Sequence, residues 1–345
     1  MPDGTPNVAG GEAAPPPQEI GRRRRPDASG GARTTVASDL VGFGPGKVIL
    51  IGEHAAVYGH PVLAGPLSWG VTARGTPASR CSLAVPPGAR LTRKARKLLA
   101  AAFDRAARAC GRPKIRVALE SEIPVSMGLG SSAAVGVACA RLLLLASGKP
   151  SPRPDVVARV AMLMEEEFHG QPSGIDHTTS AQGRLILYRR RPGATLGTAR
   201  PVRSPRPLKL LVALVGPRPP TRVTVAALRA RASRWPSRYG RLMRELGALA
   251  REGASAVEKG DLESLGDAMN ASQGVLSGLG LSSASIDQMV HRLRGMGAMG
   301  AKLTGAGGDG GAVIGLFLEP ESAVVRLRRQ GVVCFESQVA GPKTL

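Results

Sequence analysis

The chain has 345 residues, 43% of them apolar and only 3% aromatic, so it can bury a core for two domains sharing a cleft, or for one large one, built from Leu, Val and Ala. Its 47 Lys and Arg against 25 Asp and Glu leave a net charge of +22, yet the basic residues are scattered, aromatics are scarce and no DNA- or RNA-reading motif is present, which argues against a nucleic-acid partner. Four distant cysteines without C-x-x-C spacing exclude a disulfide framework or a zinc site and fit a reducing cytoplasm, and no apolar run is long enough to span a bilayer.

Residues 1–38 are rich in Pro, Gly, Ala and Arg without apolar periodicity and read as a disordered extension with no secretory signal. Folding is expected from Val41. Residues 48–51 predict a short buried strand between Gly44-Pro45-Gly46 and Gly52, with further strands over 62–71 and 81–85. A helix with a basic outer face is expected over 91–110, and an alternating strand over 115–120. Then comes PVSMGLGSSAAVGVACARLLLL, a glycine-serine turn running into an apolar helix that Ser131 or Ser132 would cap. Gly128 and Gly130 let an anion approach the backbone there, and the free N–H groups of a helix start make a phosphate cradle.

A second helix is expected over 155–168, followed by a polar loop over 170–176 that contains Asp176. Strands at 184–188 and 208–215 flank an Arg/Pro-rich loop. Residues 223–274 read as mostly helical, broken at Pro236, Gly253 and Gly260, with another helix over 286–294. Residues 301–304 enter the glycine run 305–311. A strand (312–317), a helix (320–330) and a strand (332–336) close the chain. Strands and helices without a regular βαβ series indicate an α+β protein.

Three segments carry chemistry: 44–60 with Lys47, Glu53 and His54; 121–134; and 302–311. Lys47 is not preceded by G-x-x-x-x-G, which rules out a Walker A loop, and no G-x-G-x-x-G joins a strand to a helix. Taken singly the residues are bland. Lys47 reads as a surface lysine, Glu165-Glu166-Glu167 as a solvated helix face among which spacing does not choose, and Asp176 as a turn former.

Together, in this order, PGKVILIGEH, the GLGSS turn and KLTGAGGDGG resemble the three signature motifs of the GHMP kinase superfamily, over residues 41–339. Within it, GEHAAVYGHPVLA resembles the mevalonate kinases; a galactokinase would show threonine and aspartate after Gly-Glu-His. The resemblance implies a ribosomal protein S5 domain 2-like N-terminal domain (39–205) and a ferredoxin-like C-terminal domain (206–345). It also implies ATP and Mg²⁺ as cofactors, with mevalonate phosphorylated at its 5-hydroxyl; phosphomevalonate kinase and a catalytically silent sensor on the same fold are the rivals.

By the same resemblance Ser126, Met127, Gly128, Leu129, Gly130, Ser131 and Ser132 cradle the nucleotide, with Ser121 touching it, and Ser132 and Glu165 ligate the metal. Asp176 is the base and Lys47 its cationic partner. Glu53, His54, Arg222, Thr224 and Ala306 face the acceptor. Asp309 stands where the family has glycine, and His177 where asparagine is frequent. The pattern leaves the oligomeric state open, a homodimer being admissible.

Overall fold

The computed structural model describes residues 40–84, 91–124, 127–170, 172–190, 197–216 and 221–339, within the unit Ser38–Leu345. The extension read over residues 1–38 lies outside the described residues, as does Ser126.

The first sheet is built on a long antiparallel pair, β1 (Leu40–Ile51) and β2 (Val62–Pro77), whose register shifts at Pro45/Lys47 and again at Ile49/Ile51. Both strands outrun the stretches expected from apolar runs because glycines sit inside them. Gly42 and Gly44 lie directly on helix α2 (Ser131–Ala146). A Cβ on Gly44 would stand 2.0 Å from the Ala134 carbonyl oxygen, so only glycine permits that approach.

Strand β3 (Ser82–Ala84) runs through helix α1 (Arg93–Ala109, capped by the Thr92 hydroxyl) into the parallel strand β4 (Ile115–Ser121). Helix α3 (Pro154–His169) packs on α2, which is mostly buried, while α3 buries one face. A short helix, α4 (Ile175–Gln182), occupies part of what reads as a polar loop. Strand β5 (Ile186–Arg189) then pairs with β6 (Thr198–Pro201), a strand that its Thr-Ala-Arg-Pro sequence does not announce. The sheet order is β3-β4-β2-β5-β6, with β1 on β2.

The second half starts at β7 (Leu208–Val215). Four helices follow: α5 (Thr221–Arg234), α6 (Pro236–Lys259), α7 (Leu262–Gly278) and α8 (Ala284–Gly295). Pro236 opens α6 and Gly260 closes it, but Gly253 is no break. It is buried inside α6 where a Cβ would come within 2.5 Å of Ile51 Cδ1.

After these helices come β8 (Gly300–Thr304), β9 (Gly311–Phe317), α9 (Glu321–Arg329) and β10 (Cys334–Val339). With the four helices taken as one insertion this is a β-α-β-β-α-β order, and its antiparallel sheet runs β10-β7-β9-β8, the ferredoxin-like arrangement.

The two sheets meet along two seams. On one, the Ser68 N–H donates to Ser337 Oγ at 2.9 Å and Trp69 packs on Phe335. On the other, Ile49 in β1 meets Thr304 in β8: Ile49 N–H donates to Thr304 Oγ1 at 2.9 Å, and that hydroxyl donates back to Ile49 O at 3.1 Å.

Candidate active site

Lys47 follows the first register shift in β1, a place where a bulge re-aims a side chain. Its backbone N–H donates to Leu129 O at 2.9 Å, and its stem lies over Gly130, where a Cβ would come within 2.8 Å of Lys47 Cγ. Buried to 3% exposure, the side chain ends 3.1 Å from Asp176 Oδ1.

Asp176 reaches this point from the first turn of α4, where the positive end of the helix favours a carboxylate. Three contacts fix that helix. Tyr188 OH donates to Ser173 O at 2.9 Å just ahead of it, and Ser180 Oγ donates to Pro45 O at 2.8 Å. Arg141 donates both to Phe43 O in β1 and to Ala181 O.

The run of three glutamates separates on folding. Glu167 is exposed, Glu166 pairs with Arg105 at 2.5 Å, and Glu165 is 2% exposed on the inner face of α3. Burial pushes the Glu165 carboxyl up to about 8, and nearby Asp176 pushes the same way; the Ser132 hydroxyl and Lys47 oppose the shift. Lys47, Asp176, Glu165 and Ser132 are thus brought together.

The expectation that a serine caps α2 fails. The N-cap is Gly130 in a left-handed conformation (φ 74°), so Ser131 and Ser132 lie in the first turn and leave the opening N–H groups unshielded by a side chain. Ser132 Oγ is instead hydrogen-bonded to His169 Nε2 at 3.2 Å, which in turn lies 3.8 Å from Glu165 Oε2. Sequence reading missed His169; its only signal is the four-residue step from Glu165 along a helix.

Met127 and Gly128 line the turn, half-buried, whereas the Leu129 side chain is buried in the core, so that residue offers the turn its backbone. The Ser121 hydroxyl is taken up locally, accepting from Ile123 N–H at 3.2 Å.

The oxygen pair of Ser132 and Glu165 fits Mg²⁺. Glu165 Oε1 is buried with no hydrogen-bond partner among the described residues, and hard oxygens are what this ion prefers. Among the described residues no group of three or more His, Cys, Asp or Glu could hold a metal, so an ion here would draw most of its shell from phosphate oxygens and water.

On the other side, His54 adopts a left-handed conformation (φ 62°), and its Nε2 donates to Ala306 O at 2.9 Å, so the first and third motifs touch. Burial lowers the His54 pKa, and the bond to Ala306 works against that. Glu53 is wholly buried in an ion pair with Lys302, a residue the sequence reading left unassigned. Arg222 and Thr224 lie in the first turn of α5, the first exposed and the second buried, so they do not share one surface. Asp309 is exposed, which makes it a loop residue rather than a charge inside the glycine run. His177, next to Asp176, is buried, and neither ring nitrogen is hydrogen-bonded among the described residues.

Two family models match, GHMP kinases N terminal domain over residues 93–184 and GHMP kinases C terminal over 254–332. A mevalonate kinase of Aeropyrum pernix is 37% identical over 298 residues, covering 80% of this chain and 88% of the relative. One from Pyrococcus horikoshii is 31% identical over 300 residues, covering 77% and 85%. Among solved structures, L. major mevalonate kinase in complex with R-mevalonate superposes with a TM-score of 0.78 at 26% identity, covering 89% of this chain and 98% of that one.

Proposed function

Because the chain belongs to the mevalonate kinase family of the GHMP kinases, we propose that it transfers the γ-phosphoryl group of ATP to the 5-hydroxyl of (R)-mevalonate, giving 5-phosphomevalonate and ADP. The observation that carries this reading is the Lys47–Asp176 contact beside Glu165 and the uncapped start of α2.

Phosphoryl transfer asks for charge neutralisation, an in-line acceptor and little covalent chemistry from the protein. Asp176 takes the proton of the 5-hydroxyl, a role worth about 10²–10⁴-fold in rate. Lys47, fixed on that carboxylate, holds the positive charge where the acceptor oxygen and the transferring phosphoryl group meet. The first-turn N–H groups of α2, with Met127 to Gly130 ahead of them, take the triphosphate oxygens. Ser132 and Glu165 would hold Mg²⁺, which would supply charge neutralisation at the phosphates. His54 and Ala306 border the acceptor, with Arg222 and Thr224 contributed from the first turn of α5.

Residues 39–205 would then form the ATP-binding domain and 206–345 its partner. Among the described residues no helix is long and apolar enough to cross a membrane. The four free cysteines suit a reducing compartment, and we place the reaction in the cytoplasm. ADP release by the purified protein, measured with (R)-mevalonate, 5-phosphomevalonate, galactose and homoserine, tests the reading. Turnover should appear with mevalonate alone. Turnover with another acceptor and none with mevalonate would overturn it.

A further inference from the structure

The reaction as derived makes no use of His169, although this histidine stands against both residues of the metal-binding pair. Glu165 and His169 lie four residues apart on α3, so their side chains share one face of that helix. His169 is the last residue of α3, with its side chain 49% exposed, and Gly170 ends the helix behind it. From there the ring reaches across to the first turn of α2. Its Nε2 lies 3.2 Å from Ser132 Oγ, within hydrogen-bond distance, and 3.8 Å from Glu165 Oε2, outside it.

A serine hydroxyl carries one proton and two lone pairs. A cation takes a lone pair, so the proton has to be accepted somewhere else. If Nε2 carried a hydrogen and donated it, one lone pair of Ser132 Oγ would be consumed and the hydroxyl proton would still need an acceptor. If Nε2 accepts instead, the proton is settled and both lone pairs stay open. That arrangement puts the ring proton on Nδ1, and the bond made by one side chain then sets the aim of the atom that binds. Mg²⁺ favours hard oxygens over imidazole nitrogen, so the ring suits orienting the oxygen better than replacing it.

We propose that His169 is a positioning residue for Ser132, its Nε2 accepting a hydrogen bond from the hydroxyl and so fixing Oγ with its lone pairs free for the cation. The inference rests on the phosphoryl-transfer reading above and deepens it, since it adds a residue that neither touches substrate nor ligates the metal.

The test uses ADP with Mn²⁺, a cation that takes the same oxygen ligands, and reads the Kd of ADP by calorimetry in Mn²⁺ and in EDTA. His169→Leu removes the acceptor at a half-exposed helix end, and a thermal melt checks that the variant is folded. Its Kd in Mn²⁺ should rise about 10–100-fold, the usual scale for losing such a supporting partner, while its Kd in EDTA stays at the wild-type value. His169→Gln, which offers an acceptor oxygen at a similar reach, should restore most of the affinity. In a Ser132→Ala background the His169→Leu change should cost nothing further, because the bond it removes is already gone.

Wild-type affinity of His169→Leu in Mn²⁺ would overturn the inference. So would an equal loss in EDTA, which would make His169 a nucleotide contact or a structural residue, or a full additional loss on top of Ser132→Ala. Should Ser132→Ala itself bind as the wild type does in Mn²⁺, Ser132 is no ligand and the inference falls while phosphoryl transfer stands. A wild type that binds ADP in neither medium would count against the kinase reading itself.

Discussion

His177 sits one residue beyond the proposed base, and burial holds its imidazole down to about 4 from an ordinary 6.5, with Asp176 pulling weakly the other way. Between those values the unfolded chain binds a proton that the folded chain refuses. The stability His177 contributes is therefore complete above 6.5 and is lost as pH falls toward 4, by on the order of 3 kcal/mol. Urea unfolding of His177→Leu across pH 4–7 should show a flatter acid limb than the wild type, and an unchanged slope would refute the assignment.

Side-chain facing is where the sequence is least informative at this scale. Spacing could not choose among Glu165, Glu166 and Glu167, because the choice is made by which face of α3 packs on α2. Glu53 is a related case. The Gly-Glu-His motif marks where the backbone turns, while the direction of the carboxylate is set by a lysine 249 residues away.

Elements were legible wherever apolar period and glycine placement agreed, as in α2 and β7. They were hidden where tertiary contacts replace propensity. Helix α4 is short and polar, and it exists because Tyr188, Ser180 and Arg141 hold it against β1 and the loop before it. Glycine inside a strand reads as weakness, but in β1 it lets the strand lie on α2. Two glycines therefore respond to alanine with opposite signs. Gly44→Ala forces a Cβ into the α2 backbone and should cost about 3 kcal/mol or more. Gly274→Ala, in α7 with nothing within 4 Å of the added methyl, should stabilise by about 0.5–1 kcal/mol. Thermal melts of the two variants check this, and equal shifts would contradict the packing of β1 on α2.

For the whole molecule, the site is an assembly rather than a local motif. Lys47 comes from β1, Ser132 from α2, Glu165 from α3 and Asp176 from α4, while Lys302 in β8 and Ala306 just beyond it touch Glu53 and His54 of the first motif. The order of three motifs made this convergence legible in advance; the two seams between the sheets were not, because they depend on single side chains such as Thr304 and Ser337. The large positive charge, by contrast, is scattered along the chain, and among the described residues Lys47 is the cation paired with Asp176.

The most direct test of the assembly is the Asp176→Ala variant, with ATP affinity and turnover on mevalonate measured on the same preparation. Turnover should fall by about 10²–10⁴-fold while ATP affinity changes little, since the nucleotide is held by α2 and its turn. Near-normal turnover in that variant would contradict the role given to the Lys47–Asp176 contact.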